Sequence, residues 1–440
     1  MKNYAERVTL KINLNPIFTT LVTSFAEQSA KAFGLEHADG LRLTLACEEI
    51  FTYLCGIDKD NKPVVVEASN GVYFVQIKIT FDVGYFDPRA FNLTVKISLD
   101  DESGLEDMGL LIASRSVDRF SIFHDLKEGM GIALIKEKTY PEIADLKRPE
   151  VKPFKNFTIV TPDPDMIKLF AQQIVSFYSD YPYQPDFRFP GKLVDMAASG
   201  EYHVLLAVDE SGTIGGGMLW WNWHIGKRKT VECFGPYLFN QSPESGMSKE
   251  LIDALIGILA KTDIVCIINI YATPELPKQY FEPLGFVDFY KSDRTFTPWQ
   301  CYYRFLKEDA GCQVWANPDL ETFLRTQYKS LSFAREIVLT KHGGETRPPH
   351  SVFAAQFVRT RRMVVLRPVW DGVDASENMA KHLQILKNDG ILTIFFEIDL
   401  GYAWQANLTP ALLENGFTPR LILPYSGKAD LIVFQYRAGI

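Results

Sequence analysis

No stretch of this 440-residue chain approaches the roughly 20 unbroken apolar positions that a helix needs to cross a bilayer. Its start, MKNYAERVTL, lacks the apolar core of a secretory leader, so the expected location is cytoplasmic. Cysteine is scarce. The six present (Cys47, Cys55, Cys233, Cys266, Cys301 and Cys312) form no C-x-x-C pair and mostly sit in apolar runs. That suits buried thiols in a reducing compartment. An excess of positive charge is also missing: 46 Lys and Arg face 54 Asp and Glu, a net charge of −8. A general nucleic-acid binder or an anionic-membrane binder is thereby disfavoured. With 47% apolar and 23% charged residues the chain is neither disordered nor fibrous. Aromatic residues are plentiful at 13%, including 31 Phe and 19 Tyr, enough to build several cores. At roughly 150 residues per domain the length predicts about three.

Two stretches without sustained period, 139–156 (TYPEIADLKRPEVKPFKN) and 307–317 (KEDAGCQVWAN), divide the chain into 1–140, 155–306 and 312–440. In the first unit Val8–Leu14, Val75–Phe81 and Phe91–Leu99 alternate like half-buried strands, and Ile132–Ile135 closes the unit. Helical patterns cover Pro16–Phe33, Leu41–Leu54 and Gly109–Val117, which together predict an α+β unit with helices on a mostly antiparallel sheet. The second unit reads as strand Phe157–Val160, a helix from Pro164 capped by Asp163, and strands Tyr202–Val208, Ile214–Trp221 and Thr230–Phe239. Helix Lys249–Ala260, strand Ile264–Tyr271, a helix near Leu276 and two closing strands follow. The third unit partly repeats the second. Glu414-Asn415-Gly416-Phe417 resembles Glu282-Pro283-Leu284-Gly285-Phe286 at an offset of 131 residues, and strand Met363–Val369, helix Ser376–Lys387 and strand Ile391–Ile398 echo the earlier order. A period this long indicates a duplicated domain.

Three segments of the first unit resemble the ATP-binding boxes of the histidine-kinase-like ATPases, and most nearly their anti-sigma factor serine kinase branch. Leu45–Tyr53 (LACEEIFTY) resembles the helix with the Glu-x-x-x-Asn box, Asp82–Pro88 (DVGYFDP) the Asp-x-Gly box, and Gly104–Asp118 (GLEDMGLLIASRSVD) the glycine-bearing loop and helix after the lid. The resemblance implies Glu49 as the residue orienting a nucleophile, Asp82 and Gly84 at the adenine, and Gly104 and Gly109 near the phosphates of ATP. Magnesium, a hard cation preferring oxygen, would be held by an amide one helical turn beyond Glu49. Tyr53 stands there, and a phenol is a poor ligand for it. The alternative is plain: Glu49 is an exposed helix carboxylate and Asp82 a turn residue.

Residues 155–306 resemble the GNAT acyltransferases, chiefly through Tyr280-Phe281-Glu282-Pro283-Leu284-Gly285-Phe286-Val287, similar to that family's late helix and Leu-Gly-Phe turn. The resemblance implies an acetyl-CoA or other acyl-CoA site. Leu238 and Phe239 would offer backbone groups to pantetheine, and Gly246, Met247 and Ser248 would offer amides to the pyrophosphate at a helix start. Glu232 would be the base and Tyr280 a substitute acid. Against it, Pro243 stands at the basic or amide position of the loop, Glu244 puts a negative charge where phosphates should approach, and Glu232 could equally face solvent. Trp220, Trp221, Trp223 and His224 could line an acceptor cleft or merely pack. Arg359, Arg361, Arg362 and Lys341 read by default as a solvated basic face.

The fold class expected is therefore a histidine-kinase-like ATPase α/β sandwich followed by two GNAT-like α/β domains. The implied function is a bacterial regulatory protein that binds a nucleotide, or a partner of the anti-sigma or anti-anti-sigma type, in its first unit and an acyl-CoA in the GNAT pair. Three alternatives remain open: a working N-acyltransferase with an inert ATPase-like module, a working serine/threonine kinase, and a scaffold that binds neither ligand.

Overall fold

The computed structural model describes residues 6–437 except 59, 84–85, 96–101, 126–128, 144–153, 155, 180, 182, 222–228, 240–245, 292, 294 and 342–345. The chain divides into two compact units. The first holds residues 1–139, 346–355 and 367–385, and the second holds 140–345, 356–366 and 386–440.

The first unit runs β1 (Arg7–Asn13), α1 (Thr19–Ala32), α2 (His37–Ile57), β2 (Pro63–Asn70), β3 (Phe74–Phe81), α3 (Glu102–Ser116), β4 (Arg119–Asp125) and β5 (Gly129–Glu137). Its strands form one antiparallel sheet in the order β1-β2-β3-β5-β4. Strict alternation explains the sheet: Val75, Ile77, Ile79 and Phe81 are buried on one face with Val64, Val66 and Ala68, where Ile50, Phe51 and Leu54 of α2 cover them. Phe91–Leu99 does not form the expected strand. A short 3-10 turn, Arg89–Phe91, stands at its start, with residues 96–99 outside the described set. Proline at 88 opens this turn, and the Asn92 side chain bonds the backbone of Ser351 (2.7 Å) and Phe353 (3.0 Å) in place of a ladder partner.

The remaining chain supplies β6 (Phe157–Val160), α4 (Pro164–Phe177), α5 (Pro190–Ala198), β7 (Tyr202–Asp209), β8 (Ile214–Trp221), β9 (Thr230–Leu238), α6 (Met247–Leu259), β10 (Cys266–Asn269), β11 (Glu282–Tyr290) and β12 (Phe296–Phe305). Then come β13 (Cys312–Ala316), α7 (Pro318–Leu331), β14 (Arg335–Leu339), β15 (Val352–Val358), β16 (Met363–Trp370), α8 (Ala375–Asn388), β17 (Thr393–Asp399), α9 (Ala403–Ala406), α10 (Thr409–Glu414), β18 (Phe417–Leu423) and β19 (Leu431–Tyr436). A seven-stranded sheet has the order β11-β12-β10-β9-β8-β7-β6. Only β9 and β10 run parallel within it. The later sheet, β18-β19-β17-β16-β15, repeats the order, the parallel pair (β16 and β17) and an irregular terminal hairpin.

Two further expectations change. Pro274 and Pro277 deny a helix near Leu276 its backbone donors, leaving the single 3-10 turn Lys278–Tyr280. Glu282–Val287, expected to end a helix, is instead the start of β11, with a register shift between Pro283 and Gly285. Gly285 has φ +138°, a backbone conformation that L side chains rarely adopt, and a Cβ there would also press on the Leu421 side chain of β18, 2.8 Å away at Cδ2.

Candidate functional site

The parallel ladder of β9 and β10 is short: Thr230, Val231 and Glu232 pair with Cys266, Ile267 and Ile268. β9 continues to Leu238 while β10 ends at Asn269, so the two strands part beyond Glu232. Val231 and Cys233 belong to the cluster under α6, with Leu251, Ile252 and Leu255. By alternation Glu232 points to the opposite face, the face of Phe234, whose ring meets Phe187 and Tyr202 at centroid distances of 6.3 and 6.2 Å. Glu232 is buried, only 5% exposed, and not a solvent-facing carboxylate.

Beyond the fork, the protein's own side chains take the freed backbone groups of β9. Asn269 Nδ2 donates to the Gly235 carbonyl (2.9 Å) and Thr273 Oγ1 to that of Pro236 (2.5 Å). The Tyr178 hydroxyl accepts from Leu238 N–H (2.7 Å) and donates to Leu238 C=O (3.1 Å). Phe239 N–H turns the other way, to Gly215 C=O (2.9 Å). α6 begins just past this strand. Its N-cap, Gly246, has φ +76° and open space where a Cβ would lie. Met247 and Ser248 are buried in its first turn, and Ser248 Oγ has no partner among the described residues. Residues 240–245, including Pro243 and Glu244, lie outside the described set.

These positions test the fit of an acyl-CoA. The start of α6 fits phosphates: a helix of 13 residues presents its first amides beside an unfilled left-handed glycine. The Leu238 backbone fits a pantetheine amide in kind, one donor and one acceptor, but Tyr178 holds both groups. Phe239 does not offer its N–H there.

Tyr280 is not brought to Glu232. Its hydroxyl reaches toward Asp253 of α6 (3.5 Å), and its ring packs against the cluster on the α6 face, opposite Glu232. The phenols near Glu232 are Tyr237 and Tyr271, which were not anticipated from the sequence. Burial, foremost, pushes both well above the ordinary tyrosine range; the Glu232 charge raises each further, and that of Arg361 lowers each. They stay protonated at neutral pH. Arg361, from the turn between β15 and β16, does not lie on a solvated basic face. Its Nη2 donates to the Tyr181 carbonyl (2.5 Å), and its guanidinium stands 5.1 Å from the Tyr183 ring centroid. Trp220 and Trp221 serve packing, stacked on His203 (5.0 Å) and Tyr202 (5.6 Å); Trp223 and His224 lie outside the described residues.

In the first unit Glu49 and Gly109 meet: a Cβ on Gly109 would stand 2.5 Å from Glu49 Oε2. Burial foremost, then the neighbouring Glu48, raises the Glu49 pKa above the usual carboxylate range. Gly104 lies within α3 and not in a loop. Asp82 is a surface residue, its side chain 82% exposed and 3.7 Å from Lys62 Nζ. Gly84 lies outside the described residues. Tyr53 accepts from Asp87 N–H (3.4 Å) and meets Phe86 edge-on at 5.9 Å, so aromatic side chains occupy the space one turn beyond Glu49. No cluster of three metal-ligating side chains occurs among the described residues. Likewise no helix among them is long and apolar enough to cross a membrane.

No protein-family model matches the chain, and no curated protein matches it. Solved structures that match part of it include acetyltransferases, each of the following covering about a third of the chain. A GNAT superfamily phosphinothricin acetyltransferase from Sinorhizobium meliloti, in complex with AcCoA, is 19% identical over 34% of this chain and 89% of its own, with a TM-score of 0.27. Ribosomal-protein-S5-alanine acetyltransferase from Vibrio fischeri is 13% identical over 36% and 97%, with a TM-score of 0.29. A GNAT family N-acetyltransferase from Escherichia coli, in complex with CoA, is 14% identical over 37% and 88%, with a TM-score of 0.25.

Proposed function

We propose that residues 155–306 are an acyl-CoA-dependent N-acyltransferase module of the GNAT type. The observation that carries this reading is the fork: a parallel pair that parts at Glu232 and Ile268, with α6 opening at a left-handed glycine just past it. The start of α6 would bind the pyrophosphate and Leu238 the pantetheine amide, once the Tyr178 hydroxyl has released it. Bound there, an acyl-CoA supplies an activated acyl group as a thioester. Glu232, buried on the face of Phe234, would take the proton from the acceptor amine, and the surrounding aromatic rings would exclude water. A phenol of Tyr237 or Tyr271, still protonated, is available as a donor on that same face. The first unit, with Asp82 on its surface and Tyr53 engaged by Asp87, has no catalytic part in this reading.

Calorimetric titration of the full chain with CoA and acetyl-CoA tests it. Gly246→Asp keeps an N-cap acceptor at a left-handed position that Asp tolerates, yet puts a carboxylate where phosphates would approach. Binding to the natural chain, lost in a Gly246→Asp variant of similar melting temperature, is the expected result. A natural chain that binds neither compound at millimolar concentration overturns the reading.

A further inference from the structure

We propose that the hollow between the hairpin β11–β12 and the end of β18 binds a planar aromatic ring carrying one anionic group, at a site separate from the acyl-transfer fork. A cavity of about 570 Å³ lies there, within the size range of small-molecule sites.

Its floor follows from strand register. Phe286 and Asp288 of β11 alternate onto one face, and Gln300 and Pro298 of β12 stand directly opposite them, with Phe296 two residues before Pro298 on the same face. Phe286 and Phe296 keep about half of their surface exposed, 50% and 52%. One exposed ring is ordinary. Two of them beside a proline in one hollow make an uncovered apolar surface against which a flat ring can pack.

The wall is basic. β18 shifts register between Pro419 and Leu421, so Arg420 is the extra residue of a bulge, and a bulge re-aims a side chain out of the ladder. Its guanidinium pairs with Asp288 and stands 5.4 Å from the Phe286 ring centroid. It makes no other hydrogen bond among the described residues. The two charges of this pair cancel, but 12% of the arginine side chain is exposed against 5% of the aspartate, so the pair shows the hollow mainly its donor side. Arg437, just past β19, gives its backbone N–H to the Gly416 carbonyl (3.1 Å), and its exposed side chain has no ion pair among the described residues. Gln300 spends its amide N–H groups on the carbonyls of Gly285 (2.7 Å) and Cys301 (2.9 Å). The lining therefore carries one net positive charge, that of Arg437. A cation would be repelled and a neutral ring would leave the guanidinium unused, whereas a carboxylate or phosphate matches its planar fork. An aromatic acid and a nucleotide share this chemistry.

Calorimetry of the full chain, with no acyl-CoA present, tests it with two pairs of probes: indole-3-acetate against its neutral amide, indole-3-acetamide, and AMP against adenosine. At least one anion is expected to bind roughly tenfold more tightly than its neutral counterpart, and the better of the two anions names the source. Arg437→Gln removes that preference. Phe296→Ser weakens both members of the preferred pair by about fivefold or more, through lost stacking. Both substitutions are at exposed positions and are expected to leave the melting temperature of the free chain unchanged. Neither anion binding at millimolar concentration, equal affinity within both pairs, a preference that survives Arg437→Gln, or binding indifferent to Phe296→Ser overturns the assignment. Each of these outcomes leaves the N-acyltransferase reading standing, because that reading uses other residues and another ligand.

Discussion

The hydroxyl of Tyr178 makes two hydrogen bonds to one residue, accepting from the Leu238 N–H at 2.7 Å and donating to the Leu238 carbonyl at 3.1 Å. A phenol thus stands where an amide of a ligand would complete the edge of β9. Each bond nets about 1 kcal/mol, so displacing both costs about 2 kcal/mol, roughly thirtyfold in affinity. Tyr178→Phe is expected to tighten CoA binding by up to about thirtyfold in calorimetry, while lowering the melting temperature because Leu238 loses its partner. Unchanged affinity would show that the ligand does not use Leu238.

Glu232→Gln separates chemistry from binding. Loss of a general base commonly costs about 10²–10⁴ in rate, and thiol release from acetyl-CoA is expected to fall in that range while acetyl-CoA affinity stays within about twofold. Tyr280→Phe, on the other face of the sheet, is expected to leave both unchanged. A large loss with Tyr280→Phe would reverse the assignment of faces.

The pairing of Arg335 with Asp430 has a different signature. Both side chains are fully buried, with Nε to Oδ2 at 2.7 Å, and Nη1 of the same arginine meets Asp309 at 2.8 Å. Arg335→Met strands Asp430 without a counter-charge and is expected to lose about 3–5 kcal/mol in urea unfolding. Adding Asp430→Leu should restore much of that loss. Equal instability of the single and double variants would assign the cost to packing instead.

His382 sets an acid limit on the first unit. Burial, foremost, pulls its pKa from 6.5 down to about 4; the nearby Arg115 charge adds to this, and the Asn378 carbonyl at 2.9 Å opposes it. The folded state therefore prefers neutral imidazole and the unfolded state takes the proton first. Its contribution is intact above pH 6.5 and is lost as pH falls toward 4, at about 1.4 kcal/mol per pH unit where the slope is steepest. Urea midpoints of wild type and His382→Leu between pH 7 and 4.5 check it. Parallel curves would remove histidine from the account.

Period-two alternation made β3 legible in the sequence, and Asp163 before Pro164 marked the start of α4, where its carboxylate accepts from the amides of Asp165 and Met166. Phe91–Leu99 alternates equally well and misleads, because Asn92 bonds backbone more than 250 residues away in sequence, a partner no local pattern reveals. The place of Glu232 on a central strand is legible in the sequence, but its burial is not, since a half-buried and a fully buried strand differ only in what covers them. Arg361 was hidden among Arg359 and Arg362. Three neighbouring arginines look alike in sequence, and only the turn carrying them decides which one is drawn inward.

β11 is the last strand of its sheet, and side chains bond its outer backbone groups where no strand pairs with it. Gln435 bonds both the N–H (3.0 Å) and the carbonyl (2.5 Å) of Asp288, and Thr393 Oγ1 accepts from Tyr290 N–H (3.1 Å). Cutting the chain after residue 306 would strip away these hooks and leave a bare ribbon, flanked by the half-exposed Phe286 and Phe296, free to zip onto a sister molecule. The downstream repeat thus shields a ribbon that a shortened fragment would leave bare, so the intact chain is the better vehicle for study.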